Sequence, residues 1–279
     1  MADEGEVTIA GALREATARL AETSDTGRLD AELLMAHALG VSRSEILLRH
    51  MREPEPAGFA ALVERRTGHE PVAYIVGEQE FFGRAFRVTP DVLIPRGDSE
   101  ATLAAALVGA AERGRVLDLG VGSGALLLSF LAEKPGWRGV GIDRSAAALA
   151  VAAENAARLG VAERAQLTLA DWHEAGWAAD LGTFDLVLAN PPYVEDAADL
   201  APTVRDHEPA GALFAGPEGL DDYRVLIPQL RALLTPDGAT VLEIGASQAG
   251  PVGEIAHSAG FSTQLRHDLA GRPRALILR

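Results

Sequence analysis

Asn190-Pro191-Pro192-Tyr193 brings together the residue types best suited to holding a planar NH2 group. The Asn side-chain oxygen accepts hydrogen bonds, and the Pro191 carbonyl is its neighbour in the chain. Two consecutive prolines remove two backbone donors and fix two φ angles, so the chain turns stiffly and its carbonyls stay free. Two adjacent acceptors suit both hydrogens of one amide or exocyclic amine, which makes that nitrogen the reacting atom. A plain strand-end turn is the competing reading, because Asn-Pro often initiates turns. The preceding apolar run, Phe184 to Ala189, reads as a buried parallel strand, and open α/β sheets bind ligands beyond the carboxyl ends of their strands.

Upstream, Asp118-Leu119-Gly120-Val121-Gly122-Ser123-Gly124-Ala125 follows one strand-like run and opens a helix. Its glycines let the backbone turn sharply and a ligand approach the main chain. Alone the loop is a weak signal, since Gly120, Gly122 and Ala125 also satisfy the dinucleotide pattern. Asp143 ends the next strand, where a carboxylate can accept both ribose hydroxyls of an adenosine; nicotinamide cofactors and S-adenosylmethionine share that ribose. A helix cap is the alternative role for Asp143, with Ser145 competing for it. Asp171-Trp172 follows a third strand and offers an acceptor and an aromatic plane to an adenine, although a tryptophan there also serves as core. The acid, the indole and Asn190-Tyr193 at successive strand ends line one edge and favour a methyl donor.

The elements that position these residues follow from periodicity. Ile9, Leu13, Ala16 and Leu20 recur at helix spacing, as do Ala31, Leu34, Met35, Ala38 and Leu39. Asp25 or Thr26 opens the second helix and Gly40 stops it; Ser42 or Ser44 caps a third, ending near His50, and Pro56 opens a fourth running to about Thr67. Between Pro71 and Arg96 the period shifts to 2, with Phe82, Phe86 and Val88, which predicts a β-hairpin linker. From Ser99 helices alternate with strands at Val116–Leu119, Gly139–Ile142, Leu167–Leu169, Phe184–Ala189 and Ala239–Ile244, an α/β doubly wound pattern. Phe261 to His267 and Ala275 to Leu278 leave no room for a helix between them and predict an antiparallel terminal hairpin. The expected division is a helical domain over 1–70, a linker over 71–98 and an α/β domain over 99–279.

Composition narrows the class. A chain of 279 residues with 48% hydrophobic content builds a substantial core. Without cysteine there is no disulfide framework and no thiolate zinc site; the histidines lack metal-ligand spacing, so no metal is expected. The segment Met1 to Thr8 is acidic and no apolar run reaches about 18 residues, so neither a signal peptide nor a membrane span is expected, and a cytoplasmic enzyme is the default. The formal charge of −15 argues against affinity built on phosphate neutralisation, so no direct nucleic-acid partner is expected. Lys134 is the only lysine, a skew that reflects genome composition rather than chemistry.

Taken with Glu80-Phe81-Phe82-Gly83-Arg84-Ala85-Phe86, Leu93 to Glu100, Gly68 to Tyr74, His207-Glu208-Pro209 and Ala212 to Gly216, these motifs resemble the HemK-type glutamine methyltransferases that modify peptide-chain release factors. The resemblance covers nearly the whole chain. It implies a seven-stranded class I methyltransferase (Rossmann-like) sheet that binds S-adenosylmethionine, preceded by a small helical domain that helps recognise the release factor. By motif, Gly120, Gly122, Gly124, Asp143, Trp172 and Asn190 would contact the cofactor. Asn190, Pro191, Pro192 and Tyr193 would hold the acceptor, with Asn190, Pro191 and Tyr193 as the catalytic set. The implied acceptor is the glutamine of Gly-Gly-Gln in class 1 release factors, and a monomer is the expected state. The family usually carries Pro and Thr where this chain has Gly97 and Ser99, which predicts a more mobile loop after Arg96.

Rival readings use the same residues. Adenine's exocyclic amine presents the same two hydrogens, but a nucleic-acid enzyme calls for a basic groove. A ribosomal-protein glutamine would suit the acidic charge. A noncatalytic adenosyl-binding protein would have lost the glycines or Asn190-Tyr193, and a nicotinamide oxidoreductase gives that corner and the terminal hairpin no purpose.

Overall fold

Helix α1 (Ile9–Leu20) buries the four residues that the spacing places on one face, and Thr8 caps it by accepting the amide of Gly11. In α2 (Gly27–Leu39) Ala31, Leu34 and Met35 are buried, and Gly40 ends the helix in the left-handed region at φ 67°. Ser42 and Glu45 form a reciprocal capping box at α3 (Arg43–Glu45), which runs on as a π-helical turn, Ile46–His50. Helix α4 (Phe59–Thr67) opens at Phe59 rather than at Pro56, because Gly58 at φ 90° first turns the chain. Part of the expected hairpin linker is instead helical: α5 (Val72–Val76) starts after Pro71 and ends at Gly77.

This computed structural model describes residues 7–279, so the acidic first six residues lie outside the described part. It divides into two units, one reaching to Gly77 and including Leu200–His207, the other comprising Glu78–Asp199 and Glu208–Arg279. In the first, Leu13, Leu20, Leu34, Ile46 and Phe59 share one core. Buried Arg66 pairs with Asp30 at 2.7 Å and donates to Thr203 Oγ1 at 3.2 Å, which ties the returning segment to the helices.

The second unit opens with a tight hairpin, β1 (Glu78–Phe81) and β2 (Arg84–Arg87). Phe82 and Gly83 both take positive φ, as a two-residue hairpin turn with the right twist requires, and Glu100 accepts the Phe82 amide at 2.9 Å. The period-2 pattern does not extend to Ile94. Pro90 and Pro95 lack ladder donors, so Val92 and Ile94 are buried within an irregular segment.

The chain then alternates through α6 (Glu100–Leu107), β3 (Arg113–Leu119), α7 (Ala125–Glu133), β4 (Gly136–Asp143), α8 (Ala146–Arg158), β5 (Ala165–Leu169) and β6 (Phe184–Ala189). After the short α9 (Pro202–Arg205) in the first unit come α10 (Asp221–Leu233), β7 (Leu234–Glu243), α11 (Ala249–Ser258), β8 (Thr263–His267) and β9 (Pro273–Leu278). Among the described residues seven strands form one mixed sheet in the order β5-β4-β3-β6-β7-β9-β8. Strands β3 to β7 run parallel, while β9 inserts antiparallel between β7 and β8, as the terminal hairpin predicts. Alternation along β3 sends Leu117 and Leu119 to the face covered by α10, and Val116 to the face covered by α7. Strand order reverses direction beside β3, which places the switch-point crevice between the ends of β3 and β6. No helix among the described residues is long and apolar enough to cross a membrane.

Candidate cofactor and acceptor site

An open pocket of about 1130 Å³, counting its solvent-facing space, lies over the strand ends. That is room for a nucleoside-sized ligand. Its wall includes Asp118, Gly120, Gly122, Asp143, Trp172 and Asn190. The sequence motifs of four different strands therefore meet in one cavity.

The loop after β3 needs its glycines. Gly120, Gly122 and Gly124 take φ of 78°, 52° and 86°, a region costly for residues with a Cβ. At Gly120 a Cβ would also come within 3.2 Å of the Trp172 ring, so the indole backs the loop closely. Gly124 stands off the cavity wall and lets the chain enter α7. The amides of Gly120 and Val121 both donate to the Ile142 carbonyl.

Asp143 fastens the same loop. Its Oδ2 accepts the Gly122 amide and its Oδ1 the Ser145 amide, each at 2.9 Å. Ser145, not Asp143, caps α8 by accepting the Ala148 amide at 3.1 Å. Each Asp143 oxygen keeps a lone pair for a ribose hydroxyl. Trp172 is 8% exposed and belongs to the core cluster as well as to the pocket wall. Its indole N–H donates to Asp222 Oδ1 at 3.1 Å.

At the end of β6 Asn190 is half-buried and faces the pocket together with Pro192. Pro191 is buried behind them. Tyr193 is half-buried and turned from the wall, its hydroxyl 3.5 Å from Glu243 Oε1. The backbone beyond is clamped: the amides of Tyr193 and Val194 donate to the Leu213 carbonyl, and Gln248 donates to the Tyr193 carbonyl at 3.0 Å.

The loop after Arg96 is held from several sides. Arg96 pairs with buried Glu208, which also accepts the Ile94 amide at 3.2 Å, while Asp98 bonds Arg272 and Arg274. These long-range partners have no local signature in the sequence. Asn155 was equally hidden: its amide joins the Ser123 carbonyl at 2.8 Å to the backbone of Arg87, bracing the glycine loop against β2. A buried Asn inside an alanine-rich helix was the one available hint. Asp222 resembled an ordinary acid in a helix's first turn. Among the described residues no cluster of His, Asp and Glu could hold a metal.

Asp118 lines the floor. Its Oδ2 accepts the Leu127 amide at 3.3 Å, while Oδ1 is buried without a partner. Burial pushes this carboxyl up to about 7, with the nearby charge of Asp143 acting in the same direction. A raised acid stabilises the fold fully below its unfolded pKa, and the contribution is lost as pH rises through the folded value. Asp118→Asn is therefore expected to remove roughly 2–3 kcal/mol of the wild-type stability loss between pH 5 and pH 8. Urea titrations of both proteins at the two pH values check this, and parallel pH dependences would contradict it.

Residues 11–77 match the family described as PrmC N-terminal domain, and residues 111–254 the family described as Methyltransferase domain. A release factor glutamine methyltransferase of Cereibacter sphaeroides is 44% identical over 97% of this chain and 98% of its own length. Proteins of the same name from Rhodospirillum rubrum and Nitratidesulfovibrio vulgaris are 41% and 38% identical, covering 90% and 100% of this chain and 78% and 97% of their own. The solved structure of a methyltransferase from Pyrococcus furiosus, 16% identical, superposes with a TM-score of 0.52 over 78% of this chain and 96% of its own, a likeness of fold. With identity at this level over nearly the full length, and a pocket joining glycine loop, acid and Asn-Pro-Pro-Tyr corner, the chain is a methyltransferase and belongs to the release factor glutamine methyltransferase family.

Proposed function

We propose that this chain methylates the side-chain amide nitrogen of the glutamine in the Gly-Gly-Gln motif of class 1 peptide-chain release factors, in the cytoplasm, using S-adenosylmethionine. The observation that carries the reading is Asn190 at the end of β6, sharing one cavity with the glycine loop and Asp143.

The residues present suit that cofactor. Asp143 offers lone pairs to the ribose, Trp172 and Asp171 flank the adenine, and Gly120 and Gly122 leave the main chain open. Asp118 supplies a buried acceptor without a partner, which a cationic ligand would hold in its charged form. When bound, S-adenosylmethionine supplies an electrophilic methyl group on a sulfonium.

A carboxamide nitrogen is a poor nucleophile because its lone pair is delocalised into the carbonyl. Asn190 Oδ1 and the Pro191 carbonyl accept its two hydrogens, orient the lone pair and oppose that delocalisation as the C–N bond forms. Asn190 and the Pro191 carbonyl would thereby hold the nitrogen in line with the methyl group that the cofactor would supply as it reverts to a thioether, and the proton shed by the methylated nitrogen would pass to solvent. Much of the acceleration is positioning within about 3–3.5 Å, so no general base is needed before bond formation.

Methyl incorporation from labelled S-adenosylmethionine into release factor, ribosomal protein and nucleic acid side by side tests the assignment. Labelling of release factor that disappears in a Gly-Gly-Asn variant is the expected result. Labelling of ribosomal protein or nucleic acid alone would overturn the substrate and keep the chemistry.

A further inference from the structure

Glu243 ends β7 with its side chain almost wholly buried, between Tyr193 after β6 and Thr102 in α6. Its Oε1 lies 3.5 Å from the Tyr193 hydroxyl, at the acceptor corner. Its Oε2 accepts the Thr102 hydroxyl at 3.3 Å, and the Ser99 side chain lies beside the carboxyl. Ser99 lines the pocket and closes the segment that carries Arg96 and Asp98. The backbone below is fixed as well, since the Tyr223 hydroxyl donates to the Glu243 carbonyl at 2.9 Å. The pairing of β7 with β9 brings Arg274 alongside, bonded to Asp98 at 2.8 Å. One carboxyl thus joins the corner after β6 to the loop before α6, two segments otherwise far apart in sequence.

We propose that Glu243 is a positioning residue for methyl transfer: by holding the hydroxyls of Tyr193 and Thr102, with Ser99 beside them, it sets the distance between the acceptor corner and the opposite pocket wall. Two hydroxyls donating to its two oxygens, with Ser99 beside them, suit an acceptor, and several anchors fix a carboxyl more tightly than one. Burial pushes Glu243 up to about 7 and Tyr193 up to about 12, with the Glu243 charge adding to burial at the phenol. Neither reacts. The effect is geometric, and displacement by about 1 Å at a reacting centre costs about a hundredfold in rate.

The inference rests on the proposed acceptor reading, and the test separates the two. Single-turnover methylation of release factor is compared for wild type, Tyr193→Phe, Glu243→Leu, Glu243→Gln and the Tyr193→Phe/Glu243→Leu double variant, alongside calorimetric affinity for S-adenosylmethionine. Expected are a roughly tenfold loss of rate in Tyr193→Phe, a roughly hundredfold loss in Glu243→Leu and partial recovery in Glu243→Gln, which keeps an acceptor oxygen. The double variant should be no slower than Glu243→Leu, with cofactor affinity within about twofold throughout. An undiminished rate in Tyr193→Phe, or losses that multiply in the double variant, would overturn the inference even if Glu243→Leu fails to fold. A wild-type chain that methylates no release factor would overturn the function, and this inference with it.

Discussion

Asn190→Ala is expected to lower the rate of methyl transfer about 10²- to 10³-fold, the range for removing one preorganised polar group at a reacting centre. The side chain is half-buried at the pocket edge rather than packed in the core, so the folded state should survive the truncation. What is lost, on the proposed mechanism, is the acceptor that with the Pro191 carbonyl would bind both amide hydrogens. An amide held by one acceptor rotates, and its lone pair spends less time aimed at the methyl carbon. Binding of the release factor draws on a much larger surface, so its affinity should move by only a few-fold. Asn190→Asp keeps an oxygen at the same reach and should retain more activity than Ala. Equal losses in the two variants would place the effect in shape rather than hydrogen bonding, and near-normal turnover in Asn190→Ala would remove the residue from the mechanism. Single-turnover rates with cofactor and release factor both saturating make the comparison.

The parts of this site written in local chemistry were legible in the sequence. The glycine loop, the acid ending β4 and the Asn-Pro-Pro-Tyr corner each announce themselves because backbone conformation restricts which residues fit, and strand ends in an open sheet gather them. The terminal hairpin was equally plain, since Gly271-Arg272-Pro273 leaves no length for a crossover helix. The stretch before the hairpin misled. Val72–Val76 is β-branched and apolar, yet Pro71 before it and Gly77 after it punctuate a short helix. Val92-Leu93-Ile94 has strand composition, but its neighbouring prolines deny it a ladder. Hidden altogether were contacts between residues distant in sequence: Glu208 on Arg96, Asn155 on Ser123, Glu243 on Tyr193. The last depends on strand order, β7 lying beside β6, and periodicity does not encode that order.

Asp143→Ala should weaken S-adenosylmethionine binding by about a hundredfold, the equivalent of two hydrogen bonds to a charged acceptor at about 1.5 kcal/mol each. Two losses combine. On the proposed cofactor contact the ribose hydroxyls would lose their acceptor, and Gly122, whose amide now donates to Asp143 at 2.9 Å, loses the tether that holds the loop at φ 52°. An untethered loop must be ordered at the moment of binding, which raises the entropic cost of association. Asp143→Asn separates the contributions, because its amide oxygen can still accept the Gly122 amide while its charge is gone. Its affinity should fall between wild type and Ala. Release-factor affinity, measured without cofactor, should stay within about threefold in both, since Asp143 lies at the end of β4 and the acceptor corner at the end of β6. Calorimetry on the three proteins decides the matter. Wild-type cofactor affinity in Asp143→Ala would reduce the carboxylate to a loop fastener, and an equal fall in release-factor affinity would show that the loop and the acceptor corner move as one body.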